Sequence, residues 1–352
     1  MRFGGPQDRS RAGALGILMI FLAASPGRAY VTDQNASLAV GQPDLNSNTP
    51  NHGGLGARTL WWPNGVWRTT DRLLVADTEN NRVLLYTPVP SASHAAADVV
   101  VGQTDFAGNS ANQGGACAAN TLNKPYAVCS DGTRLIVSDM DNHRVLIFNT
   151  FPVSHNTAAD VVVGQANFAS NSPNQGGACA ANTLDKPHGV FTDGTRLFVA
   201  DTNNHRVLVY DTLPSVNNAG ADRVVGQTDF VSNGANQGGL SASSLRSPYS
   251  ICATGTRLFI ADQGNHRILI YQPLPAANHP DADVVVGQPD FTSNNANQGG
   301  AVSARTLYYP NGVACDAQRL YIGDSDNQRV LVFDAIPNVS NAAADVVLGQ
   351  PD

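Results

Sequence analysis

"ADTNNHRVLVY", residues 200–210, puts Asp201, His205 and Arg206 within six positions. A carboxylate, an imidazole and a guanidinium so close together could form a catalytic or metal site, or could hold a turn. The rest of the chain decides, because the stretch occurs five times. Asp77, Asp139, Asp201, Asp262 and Asp324 are identical across the copies. So are Asn80, Asn142, Asn204, Asn265 and Asn327, and Arg82, Arg144, Arg206, Arg267 and Arg329. The histidine position reads Asn81, His143, His205, His266 and Gln328. Chemistry is needed at one place, whereas a group supplied by every copy serves the copy. Asp and Asn close tight turns by bonding nearby backbone, and an Arg facing an Asp forms a charge-assisted pair. The stretch is therefore read as scaffolding.

Working outward, Gly41, Gly102, Gly164, Gly226, Gly287 and Gly349 recur in a VGQ or LGQ context, a period of 61 or 62 residues. Each unit holds a polar loop, a proline with a short apolar run, a run of the RLFVAD type, a run of the RVLVY type and a DVVVGQ run. β-branched residues bounded by turn residues indicate strands. With two lysines and one glutamate (Lys124, Lys186 and Glu79), the chain is poor in residues that favour exposed helices. Four strands per unit, repeated, predict an all-β fold, a β-propeller of four-stranded blades. The repeats span about 41–101, 102–163, 164–225, 226–286 and 287–348. Six VGQ-type runs against five complete three-strand cores leave one run surplus. Either five blades close the ring, or most of a sixth blade lies outside a truncated reading frame; the reading adopted is five blades.

"PHGVFTDGTRLFVADTNNHRVLVYD" (187–211) resembles an NHL repeat: Pro-x-Gly-Val, an apolar strand ending in Ala-Asp, then Asn-His-Arg and a second apolar strand. Five such copies cover most of residues 60–335. The resemblance implies a propeller, usually of six blades, over residues 30–352. It implies no single function, since members of that family include binding scaffolds and enzymes.

Residues 1–29 read as a separate element. Arg2, Arg9 and Arg11 precede the apolar run 12–24, and Gly27 and Ala29 offer small residues at a cleavage site, the pattern of a secretory signal peptide. The chain is thus expected to be exported, to the periplasm or beyond, with no integral membrane segment left. Removal of Arg2, Asp8, Arg9, Arg11 and Arg28 would take the net charge from −7 to −10. An acidic surface excludes nucleic acid as the expected partner, since phosphate binding needs clustered basic residues. Five cysteines are an odd number for an exported chain. Cys129, Cys252 and Cys315, on the first strand of their blades, read as buried fillers. Cys117 and Cys179 hold the same place in adjacent GGACAAN loops and are the candidate disulfide.

Function in a repeat protein should show where one copy departs from the others. The first strand of each blade is expected innermost, lining the channel, with the Asp-x-x-Asn-His-Arg turn on the same face as its proline. Two residues before that proline the copies read Trp61, Asn123, Asp185, Arg246 and Tyr308. One before it they read Trp62, Lys124, Lys186, Ser247 and Tyr309; one after, Asn64, Tyr126, His188, Tyr249 and Asn311. All these except Ser247 form the candidate ligand-binding set. Trp61, Trp62, Tyr308 and Tyr309 come from the first and last blades and would make one aromatic sector, opposite Lys124, Asp185, Lys186 and His188. Aromatic surface beside convergent polar groups suits a protein, peptide or glycan ligand. The alternative is a calcium-dependent lactonase- or esterase-like hydrolase, with Asn64, Asn123, Asp185 and Asn311 as oxygen donors and Lys124, Lys186 or His188 as acid or base. A zinc enzyme like the peptide-amidating lyase, which the NHL resemblance also brings into view, would need clustered histidines, and only His188 lies in these columns. No cofactor is predicted; the oxygen-rich long loops leave calcium as an option, although turn chemistry accounts for them.

Overall fold

In the computed structural model, which describes residues 31, 32 and 34–350, the chain is a five-bladed β-propeller. The leader segment 1–29 lies outside the described residues. Blade one is β1 (Pro63–Arg68), β2 (Leu73–Asp77), β3 (Arg82–Tyr86) and β4 (Val99–Val101). Blade two is β5 (Pro125–Ser130), β6 (Leu135–Asp139), β7 (Arg144–Phe148) and β8 (Val161–Val163). Blade three is β9 (Pro187–Thr192), β10 (Leu197–Asp201), β11 (Arg206–Tyr210) and β12 (Arg223–Val225). Blade four is β13 (Pro248–Ala253), β14 (Leu258–Asp262), β15 (Arg267–Tyr271) and β16 (Val284–Val286), and blade five is β17 (Pro310–Cys315), β18 (Leu320–Asp324), β19 (Arg329–Phe333) and β20 (Val346–Leu348). Every blade is an antiparallel meander in chain order, with the proline strand innermost.

The two middle strands of a blade are apolar on both faces because both faces are covered. In blade three, Val199 and Leu208 face blade two while Phe198, Val207 and Val209 face blade four. Buried clusters of this kind join blades one to two, two to three, three to four and four to five. The fifth junction is built differently. The cluster on the remaining flank of blade one contains Leu60, Leu73, Val75, Leu84 and Tyr86, and among the described residues no side chain of blade five joins it. Neighbouring innermost strands pack side by side at the other four junctions, but β17 and β1 do not.

The motif that opened the sequence analysis locks each blade. Asp139 and Arg144 are fully buried and pair at 2.7 Å. The rest of the guanidinium reaches the Phe168, Ala118 and Thr121 carbonyls at 2.6–2.9 Å. One arginine thus ties the long loop entering a blade to the loop leaving it. Asn142 donates to Asp139 and exchanges amide bonds with Asn112 of the incoming loop. The loop aspartates are taken up by backbone: Asp105 Oδ1 accepts from the Ala107 and Gly108 amides, and Asp229 and Asp290 act alike. The VGQ glycine is obligatory. Gly102 has φ +88, and a Cβ there would lie 2.5 Å from Leu122.

The structure corrects the cysteine reading. Cys117 and Cys179 are free, buried thiols, each with its sulfur 3.9 Å from a carbonyl of the next loop, Ser170 and Ser232. Equivalent positions away from the axis are held apart by the blades themselves. The bridge forms instead between Cys252 and Cys315, whose Cα atoms are 6.2 Å apart on adjacent innermost strands. They sit one step out of register in the repeat, at the fifth position of β13 and the sixth of β17. Among the described residues no helix is long and apolar enough to cross a membrane.

Candidate functional site

The first strand of every blade carries a β-bulge directly after its proline. In β1 Pro63 faces Asp77 and Gly65 faces Ala76, so Asn64 is the extra residue. A bulge re-aims the side chain it carries. Here it turns the residue after the proline toward the axis in each blade. Tyr126, His188 and Tyr249 consequently meet one another: the imidazole centroid lies 4.5 Å from Tyr126 and 4.1 Å from Tyr249, and the two tyrosine rings are 5.7 Å apart. Three residues of the candidate set are thus brought together at the axis, His188 buried and the two tyrosines half-buried. Burial holds the His188 imidazole down to a pKa of about 4, and its Nδ1 sits 3.0 Å from the Lys186 carbonyl. Asn64 and Asn311, the same position in blades one and five, donate to Thr78 and Ser325 and line the cavity beneath.

That cavity is about 80 Å³. It is walled by the innermost strands of all five blades, Trp67 among them. The Trp67 ring meets Phe191 edge-on at 5.7 Å and packs against the clusters joining blades one to four. Pockets for small organic ligands run to roughly 300–1,000 Å³, so this space suits a few waters. Trp67 was not singled out in the sequence. The available signal was its column, which reads Trp67, Cys129, Phe191, Cys252 and Ala314.

The two residues before the proline remain at the rim. The second of them has positive φ in every blade: Trp62 +53°, Lys124 +51°, Lys186 +50°, Ser247 +51° and Tyr309 +48°. The preceding turn holds it there. The Asn81 Oδ1 accepts from the Lys124 amide at 2.8 Å, and the Nδ1 of His143, His205 and His266 accepts from Lys186, Ser247 and Tyr309 at 3.0–3.1 Å. Asn and His place an acceptor at the same distance from the backbone, which is why they interchange in this column. Both also tolerate the left-handed conformation found there, φ +52 to +54°. The side chain is a clip from one blade to the next. At the fifth junction Gln328 makes no such bond to Trp62 among the described residues.

The polar sector is internally paired. Lys124 lies 3.1 Å from Glu79, Lys186 3.2 Å from Asp141, and Asp185 3.1 Å from the His143 ring and 3.2 Å from Asn203. The His143 contact, first among several, holds the Asp185 carboxyl below its ordinary value. The Asn123 and Asp185 amides donate to Asp139 and Asp201, and their carbonyls accept from the turns. Arg246 flanks His205 and His266. The aromatic residues are less engaged. Trp61, Trp62 and Tyr309 are 38%, 43% and 39% exposed. Tyr308 and Tyr309 stack at 5.2 Å, and His266 stands edge-on to both. The tryptophan pair lies on blade one and the tyrosine pair on blade five, on either side of the junction where β1 and β17 do not pack. Among the described residues no three His, Cys, Asp or Glu side chains come together as a metal cage.

No family model matches the chain, and no curated protein does. Solved structures show a distant likeness. The nidogen/laminin complex is 13% identical, covering 84% of this chain and 88% of that one, with a TM-score of 0.41. A structure from Bacteroides uniformis assigned as a 6-phosphogluconolactonase is 11% identical, covering 78% and 67%, with a TM-score of 0.46. U3-55K is 11% identical, covering 81% and 63%, with a TM-score of 0.45. At these identities and TM-scores the likenesses carry no argument about this chain, whose fold rests on its own sheets.

Proposed function

We propose that the chain is an exported binding module of the NHL-repeat type, which takes a protein, peptide or glycan ligand on the rim of its channel mouth. The observation that carries this reading is the solvent-facing aromatic group Trp61, Trp62 and Tyr309 at positions where the other blades place paired polar residues. Trp62 and Tyr309 hold the same left-handed conformation as Lys124, Lys186 and Ser247, but leave large rings in solvent where a partner can cover them. The 80 Å³ channel favours a ligand laid across the rim over one drawn inside. Export is supported by the Cys252–Cys315 bridge, a feature of oxidising compartments.

The test is a glycan and peptide screen read by tryptophan fluorescence, followed by Trp62→Ala and Tyr309→Ala. Both variants should lose binding at an unchanged melting temperature; retained binding by both would sink the reading. Elemental analysis of the protein dialysed without chelator separates it from the hydrolase alternative. One stoichiometric calcium per chain would favour a metal site built on Asn64, Asn123, Asp185 and Asn311.

A further inference from the structure

The turn between the second and third strands of each blade adds one side chain to the rim. The column reads Glu79, Asp141, Asn203, Gly264 and Asp326. Glu79 takes Lys124 at 3.1 Å, Asp141 takes Lys186 at 3.2 Å, and Asn203 bonds Asp185 at 3.2 Å. Blade four breaks the pattern with a glycine, and the stem of Arg246 lies over it. A Cβ on Gly264 would stand 2.7 Å from Arg246 Cγ and 3.0 Å from its Cδ. The acid that pairs a rim cation in blades one and two is replaced here by the space an arginine needs.

Arg246 is exposed, and among the described residues its guanidinium has neither an ion pair nor a hydrogen bond. Its charge stands beside two turn histidines. Burial first, and then Arg246, hold the His205 and His266 imidazoles below their ordinary value. The His266 ring in turn lies 5.4 Å from Tyr308 and 4.5 Å from Tyr309, which stack on each other. An uncommitted cation of blade four and a stacked aromatic pair of blade five therefore share one imidazole as neighbour. Ser247 follows Arg246 and Gln263 precedes Gly264; both are half-buried, and they add a hydroxyl and an amide.

We propose that this sector binds a uronate-bearing glycan, with the carboxylate on Arg246 and a pyranose face on Tyr309. The inference rests on the binding-module reading above and names its ligand. A guanidinium presents a planar fork that takes both oxygens of a carboxylate. The C–H face of a pyranose is apolar and covers an exposed aromatic ring, while its hydroxyls meet side-chain amides and hydroxyls. Glu79, Asp141, Asp185 and Asp326 stand elsewhere on the rim. They repel a run of carboxylates, so one uronate among neutral sugars fits the charge. An acidic peptide holds its carboxylate on a flexible stem, at a cost in side-chain entropy that a ring-borne carboxylate escapes.

The probe is a trisaccharide carrying one glucuronate, titrated by calorimetry against its glucose counterpart, which differs only in the carboxylate. The charged sugar should bind about ten-fold more tightly than the neutral one, the effect of one charge-assisted pair. Arg246→Gln keeps the stem and should erase that preference. So should Gly264→Asp, which restores the acid of the other blades, and so should added salt on the unaltered chain; the test therefore survives one variant misfolding. Equal affinity for the two sugars, or a preference that outlasts both substitutions, overturns the proposal. So does tighter binding of a glutamate-bearing tripeptide than of the charged sugar, because the occupant would then be a peptide. Binding of the neutral sugar or the peptide that Tyr309→Ala abolishes and Arg246→Gln spares would sink this ligand and leave the binding-module reading standing. Absence of binding by all three probes also overturns the proposal, and the glycan and peptide screen then decides the wider reading separately.

Discussion

Arg206 shows what one side chain carries. It is fully buried, and its Nε, Nη1 and Nη2 reach Asp201 and three carbonyls of two loops. Arg206→Ala would leave the buried Asp201 charge unpaired, and urea denaturation should show a loss of about 3–5 kcal/mol. The clip histidines make a finer test. His205→Asn keeps an acceptor, as Asn81 does, and should cost little. His205→Leu strands the Ser247 amide and should cost about 1–3 kcal/mol. Their Nδ1 atoms must stay unprotonated to accept. Burial lowers the pKa of His188, His205 and His266. The folded state therefore binds fewer protons, and their contribution is complete above the unfolded-state value near 6.5. It is lost as pH falls from there toward the His188 value of about 4, so the melting temperature should decline through that window.

Among elements, the innermost strands divide what could be read from sequence from what could not. The five recurring prolines marked these strands, and propeller architecture put them at the axis, as observed. The bulge was not legible, because it arises from pairing between strands. Without it, Tyr126, His188 and Tyr249 read as separate members of a column, whereas their rings meet one another at the axis. The disulfide was missed for a related reason. Comparing copies directs attention to equivalent positions, and Cys252 and Cys315 are one position out of step. Closing a loop across 63 residues should contribute about 4 kcal/mol. Cys252→Ser or reduction should lower the denaturation midpoint accordingly. Cys117→Ser should leave the electrophoretic mobility of the unreduced chain unchanged.

For the whole molecule, the consequence of five blades joined at four regular junctions is that stability is propagated from neighbour to neighbour. Hydrogen exchange should be slower in blades two, three and four, which have regular junctions on both sides, than in blades one and five. Uniform protection across all five blades would contradict the irregular fifth junction. Repeat counting found five blades and a surplus strand, but its place, with Ala39 held by Ser93 and His94 of blade one, required the structure. Mechanically, a ring cut at one place behaves like a split washer. Its two lips can part or approach with little strain elsewhere, and here one lip belongs to the blade of Trp61 and Trp62 and the other to the blade of Tyr308 and Tyr309. A ligand spanning both would act as a clasp, so the work of drawing the lips together would be set against its grip, and the bore of the channel would follow.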